Sequence, residues 1–593
     1  MKLESRRCWL LILAFLVVLG TFSFAAIDPV KVSSMRVEVN QTVHVSTTGN
    51  VNTLTVNLMA PQEDAFQKVE SVEVSVPYET TTDAYGNKMT KVTLNNPSSK
   101  AGFTVKTVLT VLRRNGAAVP NNPIFSQPTS LVESGDKDII NLAADTTAGS
   151  TSDFEKTAAI ADWVNENIRY DLAYASVNLS AKTTLNNRAG VCDEFSALTM
   201  AMLRSIGYKA AYTVGYAYGR GYTIANDFVP HGWVETCSLG GNCYQVDSTW
   251  GEAGWLDASH IKFATLPESY YVEASASAKG TGQVEVALDS VDTKITILGS
   301  GETPLINTQL SLLKDGVWNG YAVTKTDLST DGCIFTKVRF GGCLREQGTF
   351  LAPDSNETGV AFCNKKTVFM PYRIPGDMEG NSIYTCGLVS APNGGEQKTI
   401  EVTLDPREKS SERPALGVDR TAVKPDETVT ANAAGAQIFT SNGYYGTGSL
   451  SITAPAKDFI IYAYNNGQLA EQPISVANSR PIELKLTAPA SVKLGETANV
   501  SIEVRNIDSK SRNVEITLGA ETKSGVLDAG KAITYPFTFT PTGDEGIVQA
   551  FAESEGFSTS TSAPITVIRP DKNILDQIIE AITSFLDSLF GVH

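Results

Sequence analysis

The sequence predicts a multidomain protein in which one α+β core is flanked by several all-β sandwich domains. Three observations carry this. Helical periodicity is concentrated between about residues 128 and 275. On either side, short β-prone runs alternate and are broken by Gly, Pro and Asn. At 593 residues the chain is also far too long for one domain.

The segments follow in order. MKLESRR precedes an uncharged apolar run from Cys8 to Ala26, which has the form of a secretory signal peptide or, uncleaved, of an N-terminal membrane anchor. Lys2, Arg6 and Arg7 hold the start inside and direct the remainder to the cell surface or beyond. Residues 27–126 hold MRVEVNQTVHVS, VNTLTVNLMA, VESVEVSVPY, KMTKVTLNN and FTVKTVLTVLRR, the pattern of an N-terminal β-sandwich. A proline-bearing linker then leads into a core at 127–275. Within it, DFEKTAAIADWVNENIRY sets Ile160, Trp163 and Ile168 on one helical stripe. From Asp193 to Ile206, Phe195, Leu198, Met202, Leu203 and Ile206 recur at helical spacing, and Gly207 supplies a stop.

Residues 276–408 read as a disulfide-stapled β domain and 409–482 as a further β-sandwich module. Residues 483–570 have the strand lengths and turn spacing of an immunoglobulin-like sandwich, similar to the adhesion-type modules of prokaryotic surface proteins. The C-terminal stretch 571–593 predicts an amphipathic helix with Ile574, Ile578, Ile582, Phe585 and Leu589 on its apolar face. Such a helix suits docking on a partner helix or self-association, packing on its own sandwich, or contact with a membrane surface.

Net charge is −16 and the pI is near 4.9, which disfavours nucleic acid as a partner. Asn40, Asn178, Asn356 and Asn499 each open an N-x-[ST] triplet. No metal-binding motif and no Gly-rich phosphate loop is found, so no cofactor is expected, and calcium dependence stays open because no loop has calcium-site spacing. Cys237 and Cys243 flank the turn SLGGN and pair naturally. Cys333, Cys343, Cys363 and Cys386 form a separate group whose connectivity the sequence leaves open. With Cys8 in the leader, Cys192 is the thiol left over. In an oxidising compartment, an odd thiol is a liability unless its reactivity is used.

Residues 187–250 carry the chemistry. Gly190 and Val191 lead into a helix that opens on Cys192, where backbone N–H groups and the macrodipole favour a thiolate. Asp193 and Glu194 oppose this with negative charge beside the sulfur, so an imidazole must supply much of the activation. HGWVETC and CYQVDSTW read as a hairpin. If Cys237 faces Cys243, then Glu235 faces Gln245, Trp233 faces Asp247 and His231 faces Thr249. His231 and Asp247 become diagonal neighbours on one face. A slip of one residue would separate them, so the disulfide doubles as a register clamp. Trp233 and Trp250 flank the pair and suit either the lining of a substrate tunnel or packing beside the histidine. Of the other histidines, His44 lies in a different β-rich region and His593 is terminal. His260, in LDASHIKF, is the rival base, but it lacks an acidic partner at strand spacing.

GVCDEF, RSIGYKAAYTVGY, HGWVE and YQVDSTW together resemble the transglutaminase-like superfamily of papain-like cysteine enzymes. The resemblance implies a papain-like core with Cys192 as nucleophile, His231 as base and Asp247 as orienting acid. It implies acyl transfer on peptide or amide bonds through a thioester. Hydrolysis of a protein or peptide substrate is the favoured outcome. The alternatives are protein-glutamine crosslinking, or a catalytically silent surface protein whose β modules bind cell-envelope partners.

Overall fold

The computed structural model describes residues 28–568, apart from 220–226, 315–319, 343–351, 375–383, 405–411, 442, 456, 477–481, 507–510, 520, 542–546 and 555–556. The leader, the C-terminal helix and Cys343 lie outside the described residues, as does the Cys386 side chain. Among the described residues, no helix is long and apolar enough to cross a membrane.

The N-terminal segment is a single sheet built on β1 (Val32–Met59), with β2 (Gln67–Val74), β3 (Tyr78–Thr82), β4 (Lys88–Asn95) and β5 (Lys100–Leu112) in the order β2-β5-β1-β4-β3. β1 pairs first with β5 and then with β4, and its register breaks between Thr48 and Asn50. Alternation along β1 buries Val43 and Val45 before the break and Leu54, Val56 and Leu58 after it. These join Phe103, Val105 and Val92 in one core. A sandwich-like interior is thus made from one sheet. Its free edge is filled by the strand Ala274–Glu302, which runs antiparallel along the whole of β1. The boundary expected at 275 therefore falls inside a strand, and that strand belongs to the N-terminal sheet rather than to the disulfide-stapled segment.

The core that follows packs four helices on an antiparallel sheet. α1 (Lys137–Thr147) is capped by Asp136, and α2 (Asp153–Asn167) by Ser152. The two-residue strands β6 (Arg169–Tyr170) and β7 (Ala189–Gly190) pair in parallel around α3 (Ala181–Asn187). α4 (Cys192–Ser205) is buried almost all round, and Gly207 stops it with φ +89°. The sheet runs from β8 (Lys209–Tyr218) through β9 (Phe228–Cys237), β10 (Cys243–Asp247) and β11 (Glu252–Ala253), with β12 (Ile261–Leu266) beyond β8.

Two features tie this core to its neighbours. On one side, Arg114 is fully buried and bonds Asp64 at 2.6 Å, while Gln67 takes the Lys262 N–H at 2.9 Å. Lys262 in turn pairs with buried Glu235 at 2.8 Å. On the other side, Ala253 of β11 bridges Phe335, so the core sheet continues into the strands Tyr321–Gly341 and Glu357–Arg373. Two modules follow. The strands from 417 to 476 enclose a core with Val429, Ile438 and Ile461. Those from 482 to 568 form a two-stranded, a three-stranded and a four-stranded sheet, with a core that includes Val500, Ile516 and Val548 and that Ala144 of α1 joins.

Candidate active site

Local sequence explains why Cys192 sits where it does. The Glu194 carboxylate turns back to accept the N–H groups of Val191 (2.8 Å) and Leu179 (3.0 Å), fixing the turn before the helix. That carboxylate arm lies where a Cβ on Gly190 would stand, 2.4 Å from Glu194 Cβ, so only glycine fits there. Glu194 is therefore a capping residue, its carboxylate engaged by backbone N–H groups. Asp193 does face the sulfur. The Cys192 thiol donates to Asp193 Oδ1 at 3.3 Å, and the Tyr212 hydroxyl donates to the same oxygen at 3.0 Å. Cys192 is a free thiol, 8% exposed. Burial pushes its pKa well above the usual thiol value, and the Asp193 charge adds to this, while the Gly232 N–H acts in the opposite direction.

The helix is bonded to the sheet at the two points that matter. Ser196 Oγ donates to the Gly232 carbonyl at 3.2 Å, next to His231. Thr199 and Ser248 hydroxyls meet at 2.7 Å, next to Asp247. Gly232 is required by packing, because a Cβ there would lie 2.1 Å from the Tyr212 hydroxyl oxygen.

The hairpin has the expected register, Cys237 opposite Cys243 and Glu235 opposite Gln245, and a disulfide joins the two cysteines. His231 Nε2 lies 2.7 Å from Asp247 Oδ2, both side chains buried at 4% and 1% exposure. This bond leaves Nδ1 as the ring nitrogen available to a thiol. Asp247 Oδ1 accepts the N–H groups of Thr249 (2.9 Å) and Trp250 (3.3 Å). Those bonds turn the chain at once, so the strand ends at Asp247 and Thr249 does not come to face His231, contrary to the expected register. The turn lays Trp250 over the His231 ring, with centroids 4.2 Å apart and planes 12° apart. Burial opposes ionisation of Asp247, but the His231 and His260 imidazoles outweigh it and hold the carboxyl far below the usual range.

Two expectations need correction. Trp233 is fully buried, and its Nε1 donates to Gln245 Oε1 at 3.2 Å. It is a packing residue and cannot line a tunnel, whereas Trp250 is half-buried at the triad. His260 does have acidic partners: Nε2 is 3.4 Å from Asp247 Oδ2, and Nδ1 is 3.5 Å from Asp257 Oδ2. Strand spacing did not reveal the second contact because it is made within the turn Asp257–His260. The pattern D-x-x-H in LDASH was the available signal. His44 lies on β1, far along the chain from this site, and faces solvent. Of the other cysteines, Cys333 and Cys363 form a second cross-strand disulfide. Two groups of buried His and carboxylate side chains, one with His231, Asp247 and His260 and one with Glu252, Asp257 and His260, bring their polar atoms close enough to surround an ion.

Cys192 thus opens a helix that packs on an antiparallel sheet bearing the buried His231–Asp247 pair. Residues 140–257 match the model of the transglutaminase-like superfamily core domain. The chain is 30% identical over 137 residues to the kyphoscoliosis peptidases of mouse and human, a stretch covering 22% of this chain and 20% of each relative. It thus spans about a fifth of the length of these curated relatives. A crystal structure from Cytophaga hutchinsonii, described as a candidate cysteine protease, is 18% identical with a TM-score of 0.35, covering 46% of this chain and 93% of that one.

Proposed function

We propose that the chain is a cysteine acyl-transfer enzyme that acts outside the cytoplasm and hydrolyses peptide or amide bonds. The observation that carries the reading is the 2.7 Å bond between buried His231 and Asp247, whose chain neighbours Gly232 and Ser248 are bonded to helix α4. In this reading His231 Nδ1 takes the Cys192 proton and the thiolate attacks the carbonyl carbon. The Cys192 backbone N–H, at the start of α4, donates to the oxyanion. His231 then returns the proton to the leaving amine, leaving a thioester that water cleaves. Asp247 holds the ring in the tautomer with Nε2–H and stabilises the imidazolium. The two disulfides favour an oxidising compartment. The name peptidase, given to the mammalian relatives as whole proteins that this chain matches over a fifth of their length, favours water over a lysine amine as acceptor.

One observation favours the catalytically silent reading: the resting thiol is bonded to Asp193 and its proton is held tightly. Two measurements on the purified protein test the choice. Iodoacetamide should label Cys192 well below the ordinary thiol range near ~8.5, and His231→Ala should abolish that labelling. Peptide substrates should yield new termini or ammonia faster than they incorporate a labelled amine. Labelling that tracks an ordinary thiol would sink the enzyme reading, and faster amine incorporation would make the protein a crosslinker.

A further inference from the structure

We propose that the loop from Asp171 to Leu179 is the specificity wall of the site, and that it receives an apolar side chain on the acyl half of a peptide substrate. The proposal rests on the acyl-transfer reading of Cys192.

The loop is fastened on both sides of the nucleophile. Tyr170 pairs with Gly190, and the Asp171 N–H donates to the Gly190 carbonyl at 2.9 Å, just ahead of Cys192. At the other end the Leu179 N–H donates to Glu194 Oε1 at 3.0 Å, just beyond it. The span between these anchors is so short that none of its residues can stand more than roughly 14 Å from one of them. Tyr170, where the loop begins, is half-buried and shares the surroundings of the triad. Burial, then the nearby Cys192, Asp193 and Asp247 charges, push its phenol well above the usual tyrosine range. The loop therefore leaves and returns at the rim of the site.

Its own hydrogen bonds hold its shape. Asp171 Oδ1 accepts the Ala173 N–H at 3.0 Å, the Tyr174 N–H donates to the Asp171 carbonyl at 3.1 Å, and the Val177 N–H donates to the Tyr174 carbonyl at 3.0 Å. Leu172 and Val177 are left 60% and 46% exposed. A single exposed leucine is ordinary. Here two large apolar side chains share a short loop tied at both ends to a nucleophile's own segment, a setting in which loops carry recognition.

Charge narrows what the wall can take. From Leu172 to Ala181 no residue is charged. The charges that flank the loop are engaged: Arg169 pairs with Asp171 at 3.0 Å, Lys182 pairs with Asp136 at 2.9 Å, and the Arg188 guanidinium lies 4.7 Å from the Trp163 ring centroid. Within the site the Asp193 and Asp247 carboxylates repel an acidic side chain. Trp250, half-buried and stacked on His231, adds an apolar ring from the hairpin. The acyl half of a substrate stays on Cys192 as the thioester while the amine departs. A wall tied to the segment that bears the sulfur is placed to hold that half.

Two peptidyl chloromethyl ketones, Leu-Leu-Gly and Glu-Glu-Gly, test this on the full chain, with alkylation of Cys192 read by mass spectrometry. The leucine peptide should react on the order of tenfold faster than the glutamate peptide, the scale on which an apolar pocket discriminates. Leu172→Lys with Val177→Lys should erase or invert that ratio, and Leu172→Met with Val177→Ile should keep it. A general loss of stability cannot mimic an inversion between two reagents on one protein. Equal rates in the wild type overturn the proposal, as does a preference that survives the lysine pair. So does a thiol that neither peptide reaches. If Cys192 reacts as an ordinary thiol and His231→Ala changes no rate, the triad reading fails instead, and the ratio of the two peptides still decides whether the loop selects.

Discussion

Cys192 is shielded and donates its proton to a carboxylate beside it, so burial first and the Asp193 charge second hold that proton in the resting protein. Replacing that carboxylate by the neutral amide keeps an oxygen for the thiol and for Tyr212 but removes the negative charge. Asp193→Asn is therefore expected to lower the thiol pKa and to speed iodoacetamide labelling at pH 7 by on the order of tenfold. Labelling unchanged or slower would show that burial alone sets the thiol. Asp247 has the opposite sign. Its carboxyl is held below the unfolded value of about 3.9, so its contribution to stability is present above that value and is lost as pH falls toward the folded one. Urea unfolding between pH 5 and 3 should accordingly show a shallower loss of stability in Asp247→Asn than in the wild type. The His231–Asp247 pair was legible in the sequence because a hairpin with a short turn and facing cysteines admits one register. Asp193, Tyr212 and Gly232 were not legible as a unit, because their contact joins a helix start to two strands and leaves no periodic trace.

The elements owe their precision to cross-strand links whose energetic weight differs with the chain they close. Both disulfides join directly opposed residues of antiparallel strands, but the sequence separation is 6 for Cys237–Cys243 and 30 for Cys333–Cys363. On loop-closure entropy, the short link contributes about 2 kcal/mol and the longer one about 4 kcal/mol. The sequence suggested that Cys237–Cys243 clamps the register of the catalytic hairpin. The structure adds a second clamp: Gln245 bonds both Trp233 and Glu235 across the same strands. Hence Cys237→Ala with Cys243→Ala should leave His231-dependent labelling of Cys192 nearly intact, while Cys333→Ala with Cys363→Ala should lower the urea midpoint more. Adding Gln245→Leu to the first pair should abolish the labelling. Its survival would mean that the turn alone sets the register. A tighter test of the helix–sheet contact is Gly232→Ala, expected to cost about 1–3 kcal/mol by overpacking against a buried tyrosine ring.

At the scale of the molecule, three of the segments read as separate domains, the N-terminal sandwich, the core and the disulfide-stapled segment, share sheets. The strand Ala274–Glu302 follows the catalytic core in sequence, yet it pairs with Val32–Met59 over nearly its full length. The core sheet passes through Ala253 into the strand Tyr321–Gly341. Sequence alternation identified these strands as strands, but alternation carries no information about partners more than two hundred residues away, and a one-residue bridge such as Ala253–Phe335 has no sequence pattern at all. The buried ions make the same connection in energetic terms. Taken without the N-terminal sheet, Lys262, the partner of Glu235, would lose Asp64 and Gln67, and the buried Arg114 that bonds both would be gone. Removing part of such a network leaves buried charge uncompensated. These shared sheets and ions predict that the folding unit containing the site is 28–404 rather than 127–275. A fragment of residues 28–404 should unfold in one cooperative transition with the near-UV circular dichroism of a packed core. A fragment of residues 127–275 should show strand and helix signals without that packing, bind a hydrophobic dye and label Cys192 as an ordinary thiol. A short fragment that melts cooperatively and retains His231-dependent labelling would show instead that the flanking sheets are attachments and that the catalytic core carries its own stability.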